Sequence, residues 1–247
     1  PDPFAGIVYG REVFGTDRIE GCLCGYLQPK YTARESQYLA AQDTLLYKLH
    51  VRGFSMDAKA STTNGTFQAV SARIPYLQGI GVTTVELMPV YEFEERIFPE
   101  EKVLPDYIQW EAEDADMIVP PEETKVLPKL NFWGYTKGNY FAVKSSYARN
   151  AAKASMEYKA LIRKLHQHGM ECVMEFFFQE GTDQNLILAA LRFWVMEYHV
   201  DGFHLLGENL PMTAIAQDKR LSRTKIFYTD FGDAGEKERS YRNLYVY

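Results

Sequence analysis

The chain has 247 residues, of which 46% are hydrophobic and 24% are charged, and its formal net charge is −6. This composition is typical of a globular protein and this length suits one barrel domain, while the acidic balance argues against nucleic acid or an anionic membrane surface as a partner. No run of the sequence approaches 18 apolar residues, so the sequence predicts no membrane span.

The cysteines and histidines do not form a recognisable ligand set. The chain has three cysteines, Cys22, Cys24 and Cys172, which is neither the even number nor the spacing of a disulfide framework or a zinc site. His166 and His168 are two positions apart on a predicted helix and therefore face different ways. We expect neither a metal ion nor a cofactor.

Predicted strands alternate with predicted helices along the chain. Short apolar or β-branched runs predict five strands, at 44–53, 80–89, 171–178, 200–206 and 224–231. Apolar residues at helical spacing predict helices at 67–78, 156–168 and 185–198. This alternation is typical of parallel strands joined by right-handed crossovers, but periodicity alone does not distinguish an open doubly wound sheet from a closed barrel.

Two segments lie outside this alternation. Residues 1–43 are interpreted as a lead-in segment, and residues 44–247 as the barrel-type domain. Within that domain, residues from about 91 to 131 are rich in Asp and Glu and show little periodicity, which predicts a surface insertion. The chain begins with Pro1 rather than methionine, so we expect it to be a piece of a longer protein.

Four motifs occur in a fixed order along the chain: Tyr47-Lys-Leu-His-Val-Arg-Gly-Phe-Ser55, Gly81-Val-Thr-Thr-Val-Glu-Leu-Met-Pro-Val90, Asn131-Phe-Trp-Gly-Tyr135 and Val200-Asp-Gly-Phe-His-Leu-Leu206. In the same order they resemble motifs of debranching enzymes of the α-amylase superfamily (pullulanase, isoamylase and glycogen-debranching types). The resemblance covers nearly the whole chain. It implies an α/β fold, a partial (β/α)8 TIM barrel whose first five strands are present. The missing strands would lie in the rest of the polypeptide or in another chain.

The fourth predicted strand departs from the family at both positions that carry chemistry. The family reads Val-Asp-Gly-Phe-Arg-Phe-Asp, where the Arg orients and the last Asp attacks the anomeric carbon. This chain has His204 and Leu206 at those positions. A retaining glycosidase needs two carboxyl groups, and a hydrocarbon side chain cannot form the glycosyl ester. The resemblance therefore implies a hydrolase ancestry, and Leu206 predicts that the hydrolytic step is lost.

The position of the general acid is altered as well. The family carries a Glu at the end of the fifth strand, where this chain has Thr229 followed by Asp230. Asp230 and Glu208 are the surrogate acids to test. Glu208 shares the strand parity of Leu206 and so points to the same face. Asp230 would serve only if the register slipped by one residue, because adjacent strand residues such as Thr229 and Asp230 point to opposite faces. The family's third catalytic carboxylate lies on a seventh strand, which this chain lacks.

Sugar binding is a separate matter from catalysis. The resemblance gives four predicted substrate-binding residues: Tyr135, His204, Glu175 and Glu180. Tyr135 matches the tyrosine that stacks on the sugar at the cleavage point, and aromatic rings pack well on the apolar faces of glucose. We interpret Trp133 and Phe141 as residues that pack the loop onto the barrel. The expected partner is an α-glucan or a maltooligosaccharide.

Four carboxylates are expected near the C-terminal ends of the predicted strands, where barrel enzymes build their sites: Glu175, Glu180, Asp201 and Glu208. Two functions remain open from the sequence. One is a glycoside hydrolase homologue of α-glucan metabolism, similar to enzymes that cleave α-1,6 branches, and inactive in this form unless a surrogate acid–base pair has replaced the lost groups. The alternative is a non-catalytic glucan-binding or regulatory pseudoenzyme.

Overall fold

The computed structural model describes residues 4–9, 20–22, 38–56, 63–97, 129–228 and 244–246. Its strands are β1 (Ile7–Tyr9), β2 (Glu20–Cys22), β3 (Leu46–Leu49), β4 (Thr84–Leu87), β5 (Tyr91–Phe93), β6 (Arg96–Ile97), β7 (Lys129–Leu130), β8 (Gly138–Val143), β9 (Glu171–Phe178), β10 (Gly202–Gly207), β11 (Lys225–Tyr228) and β12 (Leu244–Val246). Its α-helices are α1 (Gly53–Met56), α2 (Phe67–Ala72), α3 (Ile74–Gly79), α4 (Ala154–Gln167), α5 (Gln184–Tyr198) and α6 (Met212–Gln217).

Six strands form the main sheet, in the order β12-β11-β10-β9-β4-β3, and every neighbouring pair is parallel. This confirms the predicted α/β fold with a parallel sheet. A doubly wound sheet reverses its strand order at a switch point, whereas here the order across the sheet follows the order along the chain. The sequence does not predict β12, whose three residues are too few to give a periodic signal.

Contacts at the N-terminal ends of the strands show that the main sheet is curved. Lys225 in β11 donates from Nζ to Thr44 Oγ1, just before β3, at 3.1 Å. These two strands are four strand spacings apart in the sheet order, which is about 19 Å in a flat sheet at roughly 4.8 Å per spacing. The hydroxyls of Tyr38 and Tyr245 likewise meet at 2.8 Å, next to the first and last strands of the sheet.

The two long helices pack their apolar faces against the sheet. In α4 the apolar residues at helical spacing are buried, as the sequence predicts: Tyr158, Leu161, Ile162 and Leu165. Asp183 caps α5 by accepting from the backbone N–H groups of Asn185 and Leu186. The indole of Trp194 in α5 donates to the carbonyl of Tyr140 in β8 at 2.6 Å. These contacts fix the outer layer against the strands that carry the site.

The helix predicted at 67–78 is in fact two short helices, α2 and α3, and the prediction of one helix is wrong there. Arg73 separates them, and Pro75 stands in the first turn of α3. Proline has no N–H to donate and its ring crowds the carbonyl four residues earlier, so a continuous helix through Pro75 is disfavoured. The apolar residues Val70, Ile74 and Leu77 are nevertheless all buried, as their spacing predicts.

The beginning of the predicted insertion belongs to the core. β5 pairs antiparallel with β8, and β6 pairs antiparallel with β7. Tyr91 and Phe93 are fully buried, and the ring of Tyr91 stacks on Phe176 of β9 with centroids 5.2 Å apart. The acidic part of the insertion, 98–128, lies outside the described residues. No helix within the described ranges is long and apolar enough to cross a membrane.

A buried ion cluster ties the β5–β8 pair to the segment after β3. Lys144 Nζ lies 2.8 Å from Glu92 Oε1 and 3.4 Å from Glu95 Oε2, and Arg52 also pairs with Glu95. Glu92 accepts from the backbone N–H of Ser145 at 2.7 Å. Burial raises the pKa of Glu95, but the charges of Lys144 and Arg52 lower it more, so the net shift is downward from the ordinary value of 4.5.

The depressed pKa of Glu95 predicts an acid-dependent contribution to stability. A carboxyl whose folded pKa is below its unfolded value adds stability above the unfolded pKa, and that stability is lost as the pH falls through the folded pKa. Glu95→Gln is therefore expected to have a lower free energy of unfolding than the parent protein at pH 7. This difference in the free energy of unfolding should shrink below about pH 4.5. The measurement is urea unfolding from pH 7 to pH 3. Glu94→Gln, at the partly exposed neighbouring position, is the control. A difference for Glu95→Gln that stays constant over this range would contradict the assignment.

Candidate functional site

Strand register places four polar side chains on one face of four successive strands. Lys48 in β3 pairs with Glu86 in β4, and His204 in β10 pairs with Glu175 in β9. Glu86 is in register with Val173, two residues before Glu175, so both glutamates point to the same face. We call Lys48, Glu86, Glu175 and His204 the central cluster.

The members of the central cluster are in direct contact. Lys48 Nζ lies 2.7 Å from Glu175 Oε1 and 3.6 Å from Glu86 Oε1. His204 Nδ1 lies 2.8 Å from Glu86 Oε1 and 3.8 Å from Glu175 Oε1. The two carboxylates and the imidazole are buried, whereas the Lys48 side chain keeps 35% of its surface exposed. Lys48 is thus the member of the cluster closest to solvent.

Electrostatics hold Lys48 in its charged form. Burial lowers the pKa of its ammonium, but the hydrogen bond and charge of Glu175, together with the charge of Glu86, raise it more. The net shift is upward, so Lys48 carries a positive charge throughout the neutral range. It compensates charge on two buried carboxylates that would otherwise be costly.

Tyr135 reaches the central cluster from the loop before β8. Its hydroxyl donates to Glu175 Oε2 at 2.9 Å, and its ring packs edge-on against Phe177 at 6.3 Å. Burial and the charge of Glu175 raise the pKa of Tyr135, so the hydroxyl remains a donor. The residue is still 37% exposed. Tyr135 thus has its hydroxyl on the cluster while part of its surface remains open to solvent.

Trp133 is exposed, contrary to its interpretation as a packing residue. It keeps 54% of its surface exposed and contacts His50 and Phe132 edge-on, at 5.9 and 5.1 Å. Phe141 is buried against Phe4 and Phe193, as expected. The sequence did not reveal the exposure of Trp133, because an aromatic residue in a loop gives no signal of the direction in which its side chain points.

Gly134 sets the backbone between Trp133 and Tyr135. Its φ is +79°, a value that residues with a Cβ rarely adopt, and a Cβ there would lie 2.5 Å from the ring of Phe93. The glycine lets the loop pass closely over the ring of Phe93. We call Phe132, Trp133 and Tyr135 the aromatic wall.

Leu206, at the predicted nucleophile position, lies two residues after His204 on the same face of β10 and is half-buried. It is in register with Phe177 of β9. Its hydrocarbon side chain next to another apolar side chain offers no group that could attack an anomeric carbon.

The other predicted catalytic and binding residues are not brought into the central cluster. Glu208 follows the end of β10 and Glu180 follows the end of β9, and both are exposed. Thr229 and Asp230, the predicted acid position and its neighbour, lie outside the described residues. Glu175, by contrast, is a member of the cluster, but it lies in the middle of β9 and not near the end of the strand, where the sequence predicts it.

The expectation that Asp201 lies at the C-terminal end of a strand is wrong. Asp201 precedes β10, so it lies at the opposite end of the sheet from the ends of β9 and β10. Its Oδ2 accepts from the backbone N–H of Cys172 at 2.7 Å and lies 2.8 Å from His166 Nε2. Cys172 is buried, and burial raises the pKa of its thiol. These contacts give Asp201 and His166 a structural role.

Sequence reasoning missed Lys48 and Glu86 as members of the site, although a signal was present. In the family that the first motif resembles, the residue after the motif's tyrosine is usually a glutamate, where this chain has Lys48. The cation of the central cluster thus lies on β3 beside Glu175 of β9, which becomes visible only when both strands are considered together.

The curated proteins similar to this chain include two plant isoamylases. The chain is 26% identical to isoamylase 3, chloroplastic, from rice over 91% of its length, and 24% identical to isoamylase 1, chloroplastic, from Arabidopsis thaliana over 82%. It spans 36% and 31%, respectively, of the lengths of these relatives. No protein-family model matches the chain.

Solved structures of low sequence identity share the fold. A pullulanase from Paenibacillus barengoltzii, in complex with maltohexaose and α-cyclodextrin, superposes with a TM-score of 0.62 over 87% of this chain and 41% of its own, at 18% identity. The pneumococcal glycogen-degrading virulence factor SpuA gives 0.69 over 99% of this chain and 31% of its own, at 17% identity. Both likenesses concern the fold of the matching part. The resemblance predicted from the sequence motifs is confirmed.

Proposed function

Since the chain is a relative of the debranching-type glycoside hydrolases of the α-amylase superfamily, we propose that it is a glucan-binding homologue that does not itself hydrolyse glucan. The observation that carries the proposal is Leu206. A leucine occupies the position of the family's nucleophile, on the same strand face as the buried central cluster.

The architecture that we propose is a barrel shared with sequence outside this chain. We assign β3, β4, β9, β10 and β11 as the first five strands of an eight-stranded barrel, and β12 as the start of the sixth. Residues 44–247 form this domain, and residues 1–43 lead into it. The chain order of the strands and the curvature of the sheet support the assignment. The remaining strands lie in the rest of the polypeptide or in another chain.

The central cluster supports the loss of hydrolysis. Glu86 and Glu175 are buried and already paired with Lys48 and His204, so neither carboxylate is placed to attack a sugar above the sheet. A retaining mechanism needs one nucleophilic carboxylate and one carboxylic acid on either side of the scissile bond. Neither role has an assigned residue within the described part of the chain.

The aromatic wall supports glucan binding. Trp133 and Tyr135 are both exposed on one loop, and glucose offers apolar C–H faces to aromatic rings. Tyr135 also carries a hydroxyl held by Glu175, which fixes the orientation of its ring. Structures that share this fold were solved with maltohexaose and α-cyclodextrin or with maltotetraose. A linear α-glucan is therefore the ligand class that we propose.

The second candidate is an active hydrolase with relocated catalytic groups. Glu208 favours it, because this carboxylate is exposed just beyond Leu206 at the end of β10. Asp230 is the other surrogate. Both functions are tested together by measuring reducing sugar released from pullulan and glycogen, and maltohexaose binding by calorimetry, on the full-length protein. Binding without turnover is the expected result. Turnover within about tenfold of typical enzymes, whose kcat is about 10 per second, would overturn the proposal.

Binding through the aromatic wall predicts that Tyr135→Ala weakens maltohexaose binding about tenfold, as does Trp133→Ala. One sugar–aromatic contact of about 1.4 kcal/mol corresponds to that factor. Calorimetric titration of maltohexaose gives the measurement. Tyr76→Ala removes a tyrosine of α3 that is about as exposed as Trp133, and it should leave binding unchanged. Equal affinities for all three variants would show that the ligand lies elsewhere.

A further inference from the structure

We propose that Glu86, Glu175 and His204 bind a divalent transition-metal cation, Zn²⁺ or Mn²⁺, at the place where the ammonium group of Lys48 now lies. This departs from the expectation, drawn from the sequence, that the chain has no metal site. The cysteine and histidine spacing carries no signal for it, since the three ligands come from three different strands. The inference concerns ion binding alone and is independent of the proposed function.

The ligand atoms have the mutual spacing of a metal site. One oxygen of each glutamate and one ring nitrogen of His204 lie within 4.8 Å of one another. His204 Nδ1 is 2.8 Å from Glu86 Oε1 and 3.8 Å from Glu175 Oε1. Ligands at 2.0–2.1 Å from a tetrahedral Zn²⁺ are separated by roughly 3.3 Å. The observed distances bracket that value, so only small side-chain shifts are needed.

A second observation concerns the carboxylate of Glu86. Its Oε2 is buried and makes no hydrogen bond to any residue that the structure describes. A buried, unsatisfied carboxylate oxygen is costly, and such atoms are rare in folded proteins. A cation held by both oxygens of Glu86 would satisfy Oε2 as well as Oε1, which hydrogen bonds from the described residues do not.

Lys48 marks the position and can leave it. Its ammonium sits against both carboxylates, as a cation bound there would. Because 35% of the side chain is exposed, its flexible stem can turn the ammonium outward into water without burying a charge. The ammonium group of Lys48 therefore competes with the metal ion for the two carboxylates, and replacing Lys48 should strengthen metal binding.

Tyr135 fixes one ligand from outside the cluster. Its hydroxyl donates to Glu175 Oε2 and leaves Oε1 directed at His204 and Lys48. Hydrogen bonds of this kind orient metal-binding carboxylates. Two carboxylates and one imidazole suit Zn²⁺ or Mn²⁺, whereas Mg²⁺ prefers oxygen ligands alone and gives up its water reluctantly.

The test titrates ZnCl₂ and MnCl₂ into the full chain by calorimetry in a non-chelating buffer without glucan, with MgCl₂ in parallel. The parent protein should bind one equivalent of Zn²⁺ or Mn²⁺. Lys48→Met should bind about tenfold more tightly, because the competing ammonium is gone. Glu175→Gln should bind at least about 100-fold more weakly, since a ligand is lost. Glu94→Gln, at a partly exposed glutamate outside the central cluster and with no assigned role in binding, is the control and should behave as the parent does.

Circular dichroism verifies that each variant is folded, and His204→Asn replaces Glu175→Gln if the latter is not. Equal affinity for the parent, Lys48→Met and Glu175→Gln would mean binding to other surface groups and would overturn the proposal. So would the absence of one-equivalent binding to the parent protein at millimolar metal. Because no sugar is present, these outcomes do not depend on glucan binding or hydrolysis.

Discussion

Replacing Lys144 with methionine is expected to lower the free energy of unfolding by about 3–5 kcal/mol, the range found when one partner of a buried ion pair is removed. Lys144 is fully buried and contacts Glu92, which is also fully buried, and Glu95. Without the ammonium, Glu92 is left as an uncompensated charge in the core. The melting temperature should fall by on the order of 10 °C. Urea unfolding at pH 7 and a thermal melt are the measurements.

Two further variants decide whether charge is the cause. Lys153→Met removes an exposed lysine from the same region and should change stability by less than about 0.5 kcal/mol. Lys144→Met combined with Glu92→Gln should recover part of the loss, because the unpaired charge is then absent. A loss below about 1 kcal/mol for Lys144→Met alone would show that Glu92 is not charged in the folded protein.

Restoring the family's residues with Leu206→Asp and His204→Arg is not expected to produce hydrolysis. The sequence predicts Thr229 at the acid position; threonine has no carboxyl group to protonate the leaving oxygen, and general acid catalysis contributes about 10²–10⁴-fold. Residues of a catalytic unit also act non-additively, so one restored member gives little alone. Reducing sugar released from pullulan should remain at the level of the parent protein.

The same double variant should be less stable than the parent. His204→Arg places a larger side chain with a fixed positive charge between Glu86 and Glu175, where Lys48 already lies, and crowds a buried cluster. Leu206→Asp puts a carboxylate beside Phe177 at a half-buried position, with a cost of about 1–3 kcal/mol. Leu206→Asn is the isosteric control without the charge. Clear turnover in the double variant would show that an acid exists, with Asp230 or Glu208 as the first residue to replace.

The strands were predictable because their signal is local. β9 occupies the predicted range 171–178 without any shift, since a continuous run of apolar residues between charged and turn residues leaves few alternatives. The order of the strands also followed from the motifs. The break between α2 and α3 was predictable in principle, because Pro75 stands in the first turn of the second helix.

The central cluster was not predictable by the same means. Lys48 and Glu175 are 127 positions apart, and Glu86 and His204 are 118 positions apart. Their contact depends on the register of four strands, which no local pattern encodes. The exposure of Trp133 is a similar case, because it depends on how Gly134 turns the loop over Phe93. Side-chain direction in loops is set by tertiary packing.

The curvature of the main sheet has a consequence for the order in which the chain gains its native contacts. Contacts within or just before neighbouring strands join residues 29, 38 or 87 positions apart, whereas the Lys225–Thr44 contact joins residues 181 apart. Closing the longer loop in an unstructured chain costs roughly 1.5 kcal/mol more than closing the shortest. Pairing of successive strands shortens that loop before it closes. We therefore expect the sheet to grow strand by strand from local nuclei and to bend late in folding, after neighbouring strands have paired.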